Sequence, residues 1–585
     1  MYIKNKKKVL SSHQTPDEIF QNQFDHLLKS IILEDSEQLK LSKFVYQNLL
    51  HLPDGPKKET IQIDIVYALA ELQKIKAEVP PLRLTRYTAM ILRTAVKKLP
   101  AIREDDLVPQ ETKSLMTKEI VFDSFVQMAA VKYSPKFEAL ISEFEVISEE
   151  IGKELVKRGD ERGRHWNVRD RALWDWCRVL IEATAHPSFF SLKEICKAEN
   201  KDEVLQRFHE LFEALVKTVM WVSFPDDMAD NYKHVRLTEL FNNIPFTSDA
   251  ELELSRKEVS EIDGGLFSKY FEHAVKVWKS AEADFVRIMG SKYETHKHEL
   301  IENYKWIKRS MLFSAKMNAN PRAKSNVVNN EKHLQHNMMA TSFNTLQTML
   351  CLELIDEGIE MRLINSFTDS TFGTLRQIAQ ENARRSNNIA TFMRELFEGD
   401  LSNIMFSKIN DWYIQPEMDR NKYIVKIQAL CLTHHTVISK HQLEIGKEPA
   451  ENMTFFDLLA FRLDAEQALF QLYRKSDKDG KLIEFQKDYQ KATEEIEKTL
   501  DPQELSEIQE IKMLLQSMKE LILYLANESN IFRVYYREWE NGRRAMIDNV
   551  NSYSEVGDLP MLHEYIRGWD KFHAMCLTRE DNWVF

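Results

Sequence analysis

Three carboxylates stand together in Trp221-Val-Ser-Phe-Pro-Asp-Asp-Met-Ala-Asp230, at the end of an apolar stretch of helical period. Asp226, Asp227 and Asp230 offer the hard oxygen donors that divalent cations take. About 160 residues later, Asn387-Asn-Ile-Ala-Thr-Phe-Met-Arg-Glu395 places Asn387, Thr391 and Glu395 at i, i+4 and i+8. At roughly 100° per residue these three oxygen donors share one narrow stripe of a helix. Two such helices facing one another would form a magnesium trough. Magnesium requires near-octahedral oxygen coordination, keeps several waters and is commonly completed by substrate phosphates, so a diphosphate is the natural ligand.

The elements that must position these residues are helical. Residues 204–224 are apolar at helical spacing and deliver the aspartates, and Pro225 removes a backbone hydrogen bond there, which predicts a kink at the site. Residues 376–397 carry the second stripe, and 341–354, 455–474 and 504–525 are further amphipathic helices. The polar, Asn-rich stretch 316–332 and the segment 476–481 read as loops. Toward the N-terminus, helical periods at 61–75 and 86–96 are broken at Pro53-Asp-Gly-Pro56 and at Pro80-Pro81. The polar, acidic stretch 100–109 reads as a linker or surface loop, and a boundary near 115 separates an N-terminal helical extension, 1–115, from the remaining chain, 116–585. Beyond it, 122–130 and 137–155 are helical, with Ser134-Pro135 marking a helix start.

Composition supports this layout. Only 15 glycines and 16 prolines occur in 585 residues. Turn-rich β architectures need many of both, whereas helix interiors exclude them, so the scarcity predicts an all-α protein. The formal net charge of -12 argues against general nucleic-acid binding, which needs a basic face. Five scattered cysteines without C-x-x-C spacing suggest neither a disulfide framework nor a zinc site, and fit a reducing cytoplasm. The pairs His296/His298, His333/His336 and His434/His435 lack the companion ligands of a zinc site. No segment reaches the roughly 18 apolar residues of a membrane span, and no apolar core of a signal peptide follows the lysines at the start. Glu104-Asp105-Asp106 lacks the D-x-D-D arrangement of protonation-initiated cyclisation and is read as a loop.

The order and spacing of the two motifs, with the tail Glu398-Gly-Asp-Leu-Ser-Asn403, resemble a class I terpene synthase. The resemblance covers about 180 central residues. It implies an α-helical bundle, three Mg2+ ions, a prenyl diphosphate substrate of fifteen or twenty carbons (farnesyl or geranylgeranyl diphosphate), and ionisation with cyclisation and release of diphosphate. Carried onto this chain, it makes Asp226 the bridging ligand of two ions, supported by Asp227 and Asp230, with Asn387, Thr391 and Glu395 on the third. Arg394 stands where the family has a lysine and would grip the diphosphate with a fork of donors. Tyr565-Ile-Arg-Gly-Trp569 and Thr578-Arg579 are loosely similar to the family's terminal segment, which makes Arg579 a further diphosphate contact, although Glu580 replaces the usual tyrosine. The family's sensor arginine is missing from 333–341, where Lys332 or His336 is the nearest substitute. Trp221, Phe224, Phe343 and Trp569 are the aromatic candidates for a cation-shaping contour, with a core role the more common one for each. A homodimer is among the partners expected. The alternatives are a chain-elongating prenyltransferase, which needs a second aspartate-rich motif, and a non-catalytic helical scaffold.

Overall fold

A computed structural model describes residues 15–31, 45–106, 108–160, 169–184, 201–319, 370–398, 403–406, 531–552 and 559–578, with single positions between them. Of the described residues 89% are helical and none is in a strand, so the fold is all-α. Among them no helix is long and apolar enough to cross a membrane.

The N-terminal region opens with α1 (Pro16–Ile31), α2 (Pro56–Ile75) and α3 (Pro81–Arg93). Each begins on a proline, whose missing N–H falls where no intrahelical partner exists. The breaks expected at Pro53–Pro56 and Pro80–Pro81 are therefore helix starts. The first half of the acidic stretch read as a linker is helical: after a π-helical turn at Thr94–Lys98 comes α4 (Leu99–Glu104), and α5 (Gln110–Leu115) follows the stretch. Pro100 lies in the first turn of α4, so it starts that helix rather than interrupting one.

Next come α6 (Lys118–Ala130) and α7 (Pro135–Arg158). Ser134 caps α7 by accepting from the Phe137 N–H, and Gly159 closes it in the left-handed region at φ 67°. The bundle continues with α8 (Arg171–Thr184), α9 (Lys201–Asp226), α10 (Val235–Asn243), α11 (Asp249–Glu261), α12 (Ser268–Met289) and α13 (Ser291–Ala319). The start of the Asn-rich stretch thus belongs to a helix. Last are α14 (Ser370–Glu398), α15 (Ile531–Ser552) and α16 (Leu559–Thr578). The helices expected at 341–354, 455–474 and 504–525 lie outside the described residues, as do the turn at 476–481, Phe343, Lys332 and His336.

Apolar packing is continuous through the described chain, from Phe20 in α1 to Leu577 in α16. α9 lies along α12, α14 along α15 and α16, and α16 also meets α6 and α8. The N-terminal region is tied in by charge as well as by apolar contact. Arg83 of α3 ion-pairs with fully buried Asp175 of α8 at 2.5 Å, and Tyr87 donates to the same carboxylate at 2.7 Å. Burial pushes the Asp175 carboxyl up to about 6, against the pull of Arg83 and Arg171.

Trp221 and Phe224 are fully buried core residues. Trp221 packs edge-on against Trp278 and Tyr304. Phe224 sits among Phe144, Phe241 and Tyr270. Trp569 is buried edge-on against Phe572.

Candidate functional site

The aspartate motif sits at a change of helical pitch. α9 runs through Pro225 to Asp226, then widens into a π-helical turn over Asp227–Asn231. The Tyr232 N–H reaches back five residues to the Asp227 carbonyl at 2.9 Å. A π-turn is one of the ways a helix absorbs a local defect, and such turns recur at functional sites. Here it places Asp226, Asp227 and Asp230 differently from one another. Asp227 is fully buried, while Asp226 keeps 23% of its side chain exposed.

Asp227 is held by three donors. One carboxylate oxygen accepts from Arg169 Nε at 3.0 Å and from Asn231 Nδ2 at 2.8 Å. The other accepts from the Tyr270 hydroxyl at 2.5 Å. Burial raises the Asp227 carboxyl, and Arg169 and Tyr270 hold it down in part. Arg169 also donates to Asp226 at 2.8 Å, so one guanidinium spans both adjacent aspartates.

Asp230 faces the second motif. Burial and then the charges of Asp400, Asp226 and Glu395 push its carboxyl well above the ordinary range, with Arg394 opposing them. Glu395 reports the same neighbourhood from the other side: burial and Asp400 push it up to about 7, while Arg394 and Arg384 pull it down. The two motifs, far apart in sequence, therefore put their acids into one cluster.

On α14, Thr391 and Glu395 are buried, and Asn387 is half-buried. The Thr391 hydroxyl donates to the Asn387 carbonyl at 2.7 Å. Arg394 Nη2 stands 3.6 Å from Glu395 Oε1. Glu395 Oε2 is buried and makes no hydrogen bond. The tail that follows folds back onto the helix. The Asp400 N–H donates to the Glu395 carbonyl at 2.9 Å, and Asn403 Nδ2 donates to the Asn388 carbonyl at 2.8 Å. That return sets Asp400 beside Glu395. Arg579 lies outside the described residues.

Several members of the cluster escape sequence reasoning. Arg169 precedes α8, and Tyr270 lies on α12. Neither belongs to a motif or a periodic stripe that marks it. Asn318 comes from the last turn of α13, which packs on the π-turn. Its amide Nδ2 meets the Ala229 carbonyl at 3.1 Å, Asp230 Oδ1 at 3.2 Å and Asp400 Oδ1 at 3.0 Å. Arg384 is buried one turn before Asn387, with an unpartnered Nε. Its position, seven and eleven residues before Thr391 and Glu395, puts it on their face of α14.

The donor set suits a hard divalent cation, because every carboxylate and amide present offers oxygen and Glu395 Oε2 is buried without a partner. Among the described residues, however, no three His, Cys, Asp or Glu side chains converge closely enough to hold a metal ion between them. Asp227 already accepts hydrogen bonds on both its oxygens. Asp226 has one oxygen engaged by Arg169. Comparison of the chain with protein-family models, curated proteins and solved structures finds no match to any of them.

Proposed function

We propose that this chain is a magnesium-dependent enzyme of the class I terpene synthase type, ionising a prenyl diphosphate and releasing diphosphate. The observation that carries the reading is the shared electrostatics of Asp230, Glu395 and Asp400, which unites the aspartate motif with the helix stripe and its tail. Five acidic side chains (Asp226, Asp227, Asp230, Glu395 and Asp400) stand near three arginines (Arg169, Arg384 and Arg394). Acids that repel one another in a partly dry setting are stabilised by a cation, and the arginines suit the phosphate oxygens that complete a magnesium shell.

Asp226 and Asp230 on one side, and Asn387, Thr391 and Glu395 on the other, would hold separate Mg2+ ions, which would supply Lewis-acid stabilisation of leaving-group charge. Asp227 acts differently: bound by Arg169, Asn231 and Tyr270, it anchors the π-turn that carries Asp230. Arg394 orients the diphosphate with parallel N–H groups and balances the charge of Glu395.

The test is magnesium-dependent diphosphate release from farnesyl and geranylgeranyl diphosphate, with Asp226→Asn and Glu395→Gln losing it while keeping their helical content. One observation favours a second reading, a non-catalytic helical scaffold: Arg169 ties Asp226 and Asp227 into an ion pair that needs no metal. Absence of both diphosphate release and magnesium binding in the wild-type chain would decide for the scaffold.

A further inference from the structure

The side-chain amide of Asn318 occupies an unusual place. A single Nδ2 stands among three oxygens: the Ala229 carbonyl and one carboxylate oxygen each from Asp230 and Asp400. Asn318 and Asp400 are both almost fully buried, at 4% and 2% exposure. The two carboxylates come from opposite sides of the cluster, one from the π-turn and one from the tail after α14, and α13 contributes the group between them. A positively polarised N–H at the centre of three oxygens is a neutral placeholder for a cation.

We infer that Asp230, Asp400, Asn318 and the Ala229 carbonyl form one divalent-cation site, in which Asn318 exchanges its N–H for its Oδ1 when the cation binds. A half-turn of the amide about its own axis brings Oδ1 to the position of Nδ2, since the two ends of the group are nearly equal in size. The donor set then comprises two carboxylates, one amide oxygen and one backbone carbonyl. It is the all-oxygen mixture that magnesium and manganese accept, leaving positions for water or phosphate. Independent support comes from Glu395, whose buried Oε2 makes no hydrogen bond and whose charge is felt by Asp230 and shaped by Asp400. The inference rests on the proposed cation-dependent function and adds to it two ligands, Asn318 and Asp400, that neither motif contains.

The experiment is titration of the full-length chain with Mn2+, and separately with Mg2+, by calorimetry without any substrate. Manganese is also followed by water-proton relaxation. Asn318→Asp replaces the exchanging amide with a permanent oxygen donor of full charge and should tighten cation binding about tenfold, because ligand charge count sets affinity at such sites. The same substitution should lower the melting temperature of the cation-free protein, by adding a third carboxylate where an N–H stood. Asp400→Asn should weaken cation binding about tenfold, and so should Asn318→Leu, which offers neither N–H nor oxygen. If Asn318→Leu does not fold, the Asp and Asp400→Asn variants decide. A wild-type chain that binds the cation, with affinity unchanged in Asn318→Asp and Asp400→Asn, would overturn this ligand set and leave the proposed function standing. A wild-type chain that binds neither cation would overturn both.

Discussion

Replacing Arg169 with leucine separates the structural and functional demands on the aspartate motif. The guanidinium contacts Asp226 at 2.8 Å and Asp227 at 3.0 Å, and only 10% of the arginine side chain is exposed. Removing one partner of a buried ion pair leaves an uncompensated charge and typically costs about 3–5 kcal/mol. The lower end applies, because Asp227 keeps its bonds to Tyr270 and Asn231 and can take up a proton, its carboxyl already being raised. The cation-free variant should therefore unfold at lower urea, by about 3 kcal/mol. Magnesium acts in the other direction. In the wild type a cation must displace Arg169 from Asp226; in Arg169→Leu that competitor is gone. A ligand at one hundred times its dissociation constant stabilises the folded state by about 2.7 kcal/mol, so saturating magnesium should recover most of the loss. Urea unfolding of both proteins, with and without magnesium, measures the two effects together. If magnesium stabilises Arg169→Leu no more than it stabilises the wild type, Asp226 is not a cation ligand held in check by Arg169.

Two more outcomes follow from the geometry. The carboxyls of Glu395 and Asp230 are raised in the folded state, Glu395 from 4.5 to about 7. The folded chain thus holds protons that the unfolded chain has lost, and cation-free stability should fall as pH rises from about 4.5 to about 7. Urea midpoints across that range should flatten when magnesium is present, and an identical slope with and without it would contradict the assignment. Gly542→Ala in α15 places a methyl group well inside contact with the Asn382 amide, which donates to the Trp539 carbonyl at 2.9 Å. The helix propensity gained is about 1 kcal/mol, whereas overpacking costs about 1–3 kcal/mol and the displaced amide adds to it, so a net loss of about 1–2 kcal/mol is expected by denaturant melts. Recovery in Asn382→Ala/Gly542→Ala would confirm the source.

The fold class was legible because glycine and proline are scarce and apolar residues recur at helical spacing. The helix start at Pro135 could be read directly, since proline is tolerated in a first turn, whereas Pro56 and Pro81 were read only as breaks although they open helices too. At Pro100 the linker reading gives way to a helix, α4, and Pro225 stays within α9, with the disturbance appearing after it as a π-turn. Residue type and spacing marked the two groups of oxygen donors, but the state of each carboxylate was not readable from them. Whether Asp227 is a ligand or a buried anchor depends on Arg169 and Tyr270, which tertiary packing brings from other elements. No local pattern distinguishes a lone arginine before α8, or the last asparagine of α13, from surface residues of the same type.

The contact of α16 with α8 has a consequence for how the chain is made. Trp176 of α8, 9% exposed, shields itself partly against the Phe572 ring of α16, 5.6 Å away between centroids. During synthesis α16 emerges roughly 390 residues after α8, which at about 5–20 residues per second means an interval of tens of seconds. Throughout that interval the apolar face of α8 that meets α16 is uncovered, although Arg83 and Tyr87 have already emerged to neutralise and bond Asp175 on the same helix. The nascent protein thus carries its early ion pair long before its last apolar cover. A chaperone that binds exposed aromatic surface has an opportunity there, and a chain stalled or cut before residue 559 lacks the cover that α16 gives.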